Sequence, residues 1–428
     1  MRSITIVCAI LAASATLLPA ATKVTIDPNH VLSINGKKIF PIGFTVAPPP
    51  DGKAPSGKWG FQELRDAGAV FMRTGPIRDD ADDWGGNWDA KWVVREKQYQ
   101  DAAAKAGMYC LPWLKELSHL DQGDQKKEQR LREVIRTFKN HPGLAIWKGE
   151  DEPQWGEMNK TGSQPPAALI NAKRVINEED PGRPVWIVQA PRGTLEQLKP
   201  YNPSYDIGGV DIYPVSFPPG KHSLLPNKEI SMVGDYTKKM IEVVEDKKPI
   251  WLTLQIAWSG VSRPDKNQLV FPTFPQQRFM TYQSIINGAR GLIYFGGSLD
   301  VDMNERDKAL GWNWTYWDRV LKSVIEEIGD KSPLAEALVQ PNSKLPIKAS
   351  GEGIELCVRE VGKTIYLLAC SRTGQKYQEI TFTCLPLSGE VGGEVVYESP
   401  RKVKVKDASF NDWFAPYDVH VYKFARAD

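Results

Sequence analysis

Three carboxylates stand in a row in the segment Gly149-Glu150-Asp151-Glu152-Pro153. Crowded acids raise one another's pKa, and one that stays protonated near neutral pH can give its proton to a leaving oxygen, such as that of a glycosidic bond. In an ordinary loop the segment would read as a solvated acidic turn. Here it closes an apolar run, 144–149, and lies between Trp147 and a proline, which places it at a strand terminus. Other reactive or polar groups end apolar runs in the same way: Arg73, Glu116, Asp211 with Tyr213, and Gln255. Trp258, Trp312 and Trp314 follow two such runs, and indole faces can stack on sugar rings, with core packing as the competing reading. For Arg73 the competing reading is a structural ion pair.

Termini of this kind need a scaffold that brings them together. Runs rich in β-branched and aromatic residues recur at 40–46, 69–74, 108–114, 144–149, 184–189, 208–213, 249–255 and 291–295. Helical spacing of apolar residues, three and four apart, lies between them at 126–139, 167–178, 236–245 and 275–287, with a last helix at 317–328. Strands alternating with helices pair in parallel, and eight such units close into a (β/α)8 barrel whose working residues sit at the C-terminal ends of the strands. A doubly wound open sheet is the alternative, but no phosphate-binding glycine fingerprint follows the first strand. Ahead of the first run, Asn35-Gly36 between two apolar stretches predicts a tight hairpin. From Pro341 to Phe424 the pattern becomes short alternating strands with glycine-bearing turns, as in a β-sandwich. The expected organisation is a leader over 1–20, an α/β barrel over 21–333 and an all-β sandwich over 334–428.

Composition narrows the partners. With 54 Lys+Arg against 52 Asp+Glu and no long basic run, nucleic acid is not expected. Arg2, an apolar stretch over 4–18 and the small residues near Ala20 predict a secretory signal, hence a secreted or periplasmic protein. No later apolar run reaches the roughly 20 residues of a membrane-spanning helix. Cys8 lies within the signal; export permits a disulfide among Cys357, Cys370 and Cys384, with Cys110 further away. The five histidines lack metal-ligand spacing, so neither a metal nor another cofactor is expected.

The segment Leu144-Ala145-Ile146-Trp147 followed by Asp151-Glu152-Pro153 resembles the Trp and Asn-Glu-Pro motif of the retaining glycoside hydrolases with (β/α)8 barrels, often called clan A. Ile34-Asn35-Gly36-Lys37 leading into Phe40-Pro41-Ile42-Gly43-Phe44 is similar to that clan's first hairpin and strand. The stretch Met280 to Gly291 resembles the helix entering its eighth strand, and Phe410 to Tyr422 its β-sandwich appendage. The resemblance spans almost the whole chain after the leader, and its short motifs point to the superfamily more than to a substrate.

The resemblance implies Glu152 as acid/base, Asp151 in place of the asparagine that binds the sugar 2-hydroxyl, and Arg73 as a sugar-site arginine. It also implies a tyrosine near the reacting centre, a place Tyr213 can fill, and an indole floor from Trp312 or Trp314. The run Lys248 to Gln255 looks like the nucleophile strand but ends in an amide, which cannot serve as the carboxylate nucleophile. Three explanations stay open. Another carboxylate, Glu116, Glu150 or Asp211, acts as base or nucleophile; Asp151-Glu152 works as the Asp-Glu pair of substrate-assisted hexosaminidases does; or hydrolysis has been lost and the barrel binds glycan. The expected activity is a glycoside hydrolase acting on a polysaccharide or oligosaccharide.

Overall fold

The computed structural model describes residues 21–76, 87–155, 164–256, 270–296, 303–387 and 389–426. The expected leader over 1–20 and Trp258 lie outside them. The chain opens with a three-stranded antiparallel sheet of β1 (Val24–Ile26), β2 (Leu32–Ile34) and β3 (Lys37–Ile39). Asn35 and Gly36 turn the β2–β3 hairpin with φ of 51° and 82°, the left-handed pair that a two-residue turn requires.

Eight strands then alternate with helices: β4 (Ile42–Thr45), β5 (Phe71–Thr74), β6 (Tyr109–Pro112), β7 (Trp147–Asp151), β8 (Val185–Val188), β9 (Gly208–Ile212), β10 (Ile250–Gln255) and β11 (Gly291–Phe295). Each falls within or beside one of the eight apolar runs. Six form a parallel sheet in the order β6-β5-β4-β11-β10-β9, and β7 pairs in parallel with β8. Single parallel bridges link the two pieces: Cys110 to Leu144 and Trp113 to Lys148 on one side, Trp186 to Ile207 and Gln189 to Val210 on the other. The continuous ladder is therefore broken at two junctions, where only isolated bridges remain.

Helical spacing explains the outer layer. In Gln125–Phe138 the residues Leu131, Val134, Ile135 and Phe138 are buried on one face, and Asp124 caps the start by accepting from the Lys127 amide. Helix Phe274–Ile286 is buried along nearly its whole length, because the sheet covers one side and the C-terminal strands the other. At that junction Arg278 binds the Glu327 carboxylate at 2.9 Å and donates to the Val419 carbonyl at 2.7 Å.

Inside the sheet, Trp186 and Trp251 fill space that two glycines leave open. A Cβ on Gly209 would lie 2.8 Å from the Trp186 ring nitrogen, and one on Gly291 2.8 Å from Trp251 Cδ1. The opening hairpin packs Val24, Leu32, Ile34 and Ile39 into the same cluster as these indoles. It thereby caps the end of the strands away from their C-termini.

The C-terminal part is all-β, with antiparallel sheets of three and five strands. The first contains β12 (Lys348–Ala349), β15 (Gln378–Thr383) and β18 (Phe410–Phe414). The second orders β13 (Ile354–Val361), β14 (Thr364–Ser371), β19 (Val419–Ala425), β16 (Val391–Val396) and β17 (Arg401–Val405). Alternate side chains such as Leu367, Ile380, Phe382, Phe410 and Phe424 make its core. The permitted disulfide is not formed: Cys110, Cys357, Cys370 and Cys384 are all free. The register sets Cys357 opposite Leu368 and Cys370 opposite Glu355, so the two strand cysteines do not face each other. Among the described residues no helix is long and apolar enough to cross a membrane.

Candidate active site

A cavity of about 410 Å³ opens at the C-terminal ends of the strands. Asp151, Glu152, Asp211 and Tyr213 supply its polar wall; Trp113, Trp155, Pro191, His222 and Phe295 supply the rest. Strands β7 and β9 thus carry the acids, as the strand-end rule predicts.

Glu152 sits in a strained backbone conformation, with φ of 48°. Two hydrogen bonds hold it there: its amide donates to the Val188 carbonyl, and its carbonyl accepts from the Trp155 amide, both at 2.8 Å. The side chain, half-buried, is turned into the cavity and shares a hydrogen bond with the Asp211 carboxyl. Burial raises the pKa of both groups, and their mutual repulsion and the nearby Asp151 add to the effect on Glu152. Two acids in contact cannot both ionise, so the pair keeps one proton near neutral pH. Burial and repulsion raise both groups, so the retained proton belongs to the Glu152–Asp211 pair as a unit.

Asp151 behaves in the opposite way. Burial raises its pKa, but Lys148 and Arg73 outweigh that and hold it below the usual range. Lys148 Nζ lies 2.9 Å from Oδ1 and Arg73 Nη1 3.5 Å from Oδ2. Both cations are buried; Lys148 also donates to the Glu150 carbonyl at 2.6 Å, and Arg73 lies over the Trp113 ring. Counting Arg73 and Lys148 as positive, Asp151 as negative and the pair as singly negative, the buried cluster is neutral. Neighbouring acids thus hold different protonation states, the arrangement that separates a proton donor from a fixed anion.

Other residues singled out in the sequence lie elsewhere. Glu150 points back from the cavity: its carboxylate accepts from Ser118 Oγ at 2.9 Å, binds His119 Nδ1 at 2.8 Å and accepts from the Asp151 amide at 3.0 Å. Glu116 accepts from the Trp88 amide at 3.0 Å and does not line the cavity. Gln255 is fully buried, its amide committed to both the N–H and the C=O of Val215, at 2.8 and 2.9 Å. It faces protein backbone, so neither a nucleophile nor a substrate contact is at hand from it. Trp312 and Trp314 are wholly buried; Trp312 donates to the Val46 carbonyl at 3.0 Å and packs edge-on against Phe44. Both are core residues, and neither lines the cavity.

The aromatic wall comes instead from residues that the sequence patterns did not single out. Trp113 directly follows β6, a place the strand-terminus logic that selected Arg73 also covers. Trp155 follows the acidic segment, stacks under the Arg192 guanidinium at 4.0 Å and lies 6.1 Å from the His222 ring. Phe295 stacks on Tyr213 at 5.3 Å. Burial, Lys221 and Arg192 push the His222 pKa down to about 4, so this ring is neutral at pH 7. Lys148, inside β7, gave no sequence signal beyond its place among apolar neighbours.

No protein-family model matches the chain, and no curated relative does. Solved structures do match in shape. One, described as a glycoside hydrolase, aligns at a TM-score of 0.59 and 12% identity over 95% of this chain and 97% of its own. The chain shares its fold with glycoside hydrolases. A glycoside hydrolase family 5 protein from Bacteroides vulgatus gives 0.58 and 13%, over 95% and 94%. The α-L-arabinofuranosidase of Thermotoga maritima gives 0.53 and 11%, over 94% and 99%.

Proposed function

We propose that the protein hydrolyses O-glycosidic bonds of a polysaccharide or oligosaccharide, with Glu152 as the general acid. The observation that carries this is the protonated Glu152–Asp211 pair at the mouth of the strands, in a cavity walled by indole and phenol rings. The likeness to glycoside hydrolases and the bridges at both sheet junctions support reading the eight strands as a closed (β/α)8 barrel with an all-β appendage, divided near 333. We read residues 1–20 as an export signal, so that the glycan is met outside the cytoplasm.

Glu152 protonates the leaving oxygen, and Asp211, its partner in the pair, serves as the second carboxylate. Burial raises the Asp211 pKa above the usual carboxylate range, the direction that suits a base working near neutral pH. Two-carboxylate hydrolysis needs separations of roughly 5 to 5.5 Å for retention or 6.5 to 9.5 Å for inversion. Substrate must therefore push apart a pair of groups that touch in the free protein. A second reading follows from Asp151: a fixed anion beside a protonated acid can orient a substrate acetamido group for attack on its own anomeric carbon.

Plant, algal and bacterial polysaccharides, with chitin oligosaccharides among them, test both readings against wild type and Glu152→Gln. Wild type is expected to release reducing ends; Glu152→Gln should lose at least about 100-fold in rate while keeping affinity by calorimetry. Release confined to N-acetylated sugars favours the second reading. Binding without turnover by wild type would convert the protein to a glycan-binding module, and full activity in the variant would dismiss Glu152.

A further inference from the structure

We propose that Gln255 is a positioning residue that clamps the Tyr213–His222 wall of the cavity, and that a carboxylate at this position cannot work as a nucleophile. Gln255 ends β10 with no exposure to solvent. Its Oε1 accepts from the Val215 amide at 2.8 Å, and its Nε2 donates to the Val215 carbonyl at 2.9 Å. This reciprocal pair mimics one rung of a sheet beyond the last regular residue of β9. It fixes the chain between Tyr213 and His222, two residues that line the cavity.

The chemistry of the clamp demands a group that donates and accepts side by side. A primary amide does both, whereas a carboxylate only accepts and would set its charge against the Val215 carbonyl. A protonated carboxylic acid, however, has the same donor and acceptor pattern. Gln255→Glu should therefore restore the clamp only while residue 255 is protonated. The groups nearest along the neighbouring elements are Asp211 and Tyr213 on and after β9, with His222 in the held segment; β11 offers the ring of Phe295 in register with Gln255. Asp211, which pairs with Thr253 two residues before Gln255, further disfavours ionisation at 255. The clamp stands whether or not the protein proves to be a hydrolase.

The test compares wild type, Gln255→Glu and Gln255→Met in urea unfolding from pH 4 to 8, with the ring titration of His222 followed by NMR. Five histidines in the chain keep that spectrum tractable. Gln255→Glu should match wild type near pH 4. Above it, the ratio of its unfolding constant to that of wild type should rise by up to about tenfold per pH unit, since folding then requires one extra proton. Gln255→Met should be weaker at every pH. At neutral pH the His222 environment should move toward solvent in Gln255→Met, which general destabilisation of a still-folded protein would not produce, and should stay as in wild type in Gln255→Glu while that variant is folded with residue 255 protonated. A pH-independent deficit in Gln255→Glu, an unmoved His222 in Gln255→Met, or a gain of glycosidase activity with retention in Gln255→Glu overturns the proposal.

Discussion

Replacing Lys148 by methionine removes one of two buried cations around a half-buried anion while leaving volume and stem nearly unchanged. At 2.9 Å the Lys148–Asp151 attraction is roughly 6 kcal/mol gross at an effective dielectric of about 20. Burial of the ammonium, which lowers its pKa, offsets some of this. Breaking a buried pair by deleting one partner costs about 3–5 kcal/mol. The lower end applies here, because Arg73 remains 3.5 Å from Asp151 and the Asp151 side chain keeps 29% of its exposure. Lys148→Met should lose about 3 kcal/mol in urea unfolding at pH 7. The pH dependence fixes the cause. The folded pKa of Asp151 is depressed in wild type, so its contribution is present above the unfolded value of about 3.9 and is lost as pH falls through the folded value. The gap between wild type and variant should thus be widest at neutral pH, begin to narrow near pH 4 and close further below it. A loss below about 1 kcal/mol, or a gap constant with pH, refutes the neutral cluster as the organising feature of the site.

Two further expectations separate wall from core and probe the appended sheets. Trp155→Ala should weaken glycan binding by roughly 1 kcal/mol or more with little change in stability, whereas Trp312→Phe should cost about 2 kcal/mol of stability by stranding the Val46 carbonyl and leave affinity unchanged. Calorimetry and urea unfolding on the same samples distinguish them, and equal binding losses would place Trp312 at the substrate after all. In the C-terminal sheets, burial pulls the His420 pKa down, but Asp418 and Glu398 outweigh it and raise it to about 9. A raised histidine pKa contributes stability in full below about 6.5, lost as pH climbs toward 9, so wild type should weaken by about 3 kcal/mol across that window. His420→Gln should show no such slope, and an equal slope in the variant would assign it to other groups.

The eight strands, the Asn35-Gly36 hairpin and the all-β tail were legible in the sequence because each rests on local periodicity and turn chemistry, which the neighbouring residues express by themselves. The same is true of Asp151, Glu152, Asp211 and Tyr213: a polar group that ends a β-branched run must emerge at the strand's C-terminal edge. Direction of a side chain was not legible. Glu150, one residue before Asp151, faces the opposite side of β7 and binds Ser118 and His119. Gln255 matches its expected place along the strand, yet the Val215 backbone, distant in sequence, captures its amide. Trp312 and Trp314 follow the eighth strand as a sugar floor would, but tertiary packing turns them inward and gives the wall to Trp113 and Trp155. Which acid keeps the proton was likewise decided by the fold. Charge on Asp151 depends on Lys148 from its own strand and Arg73 from another, and the shared proton depends on Asp211 arriving from β9. Long-range electrostatics and burial exist only once the strands are assembled, so sequence names the acids and the tertiary structure assigns their charges.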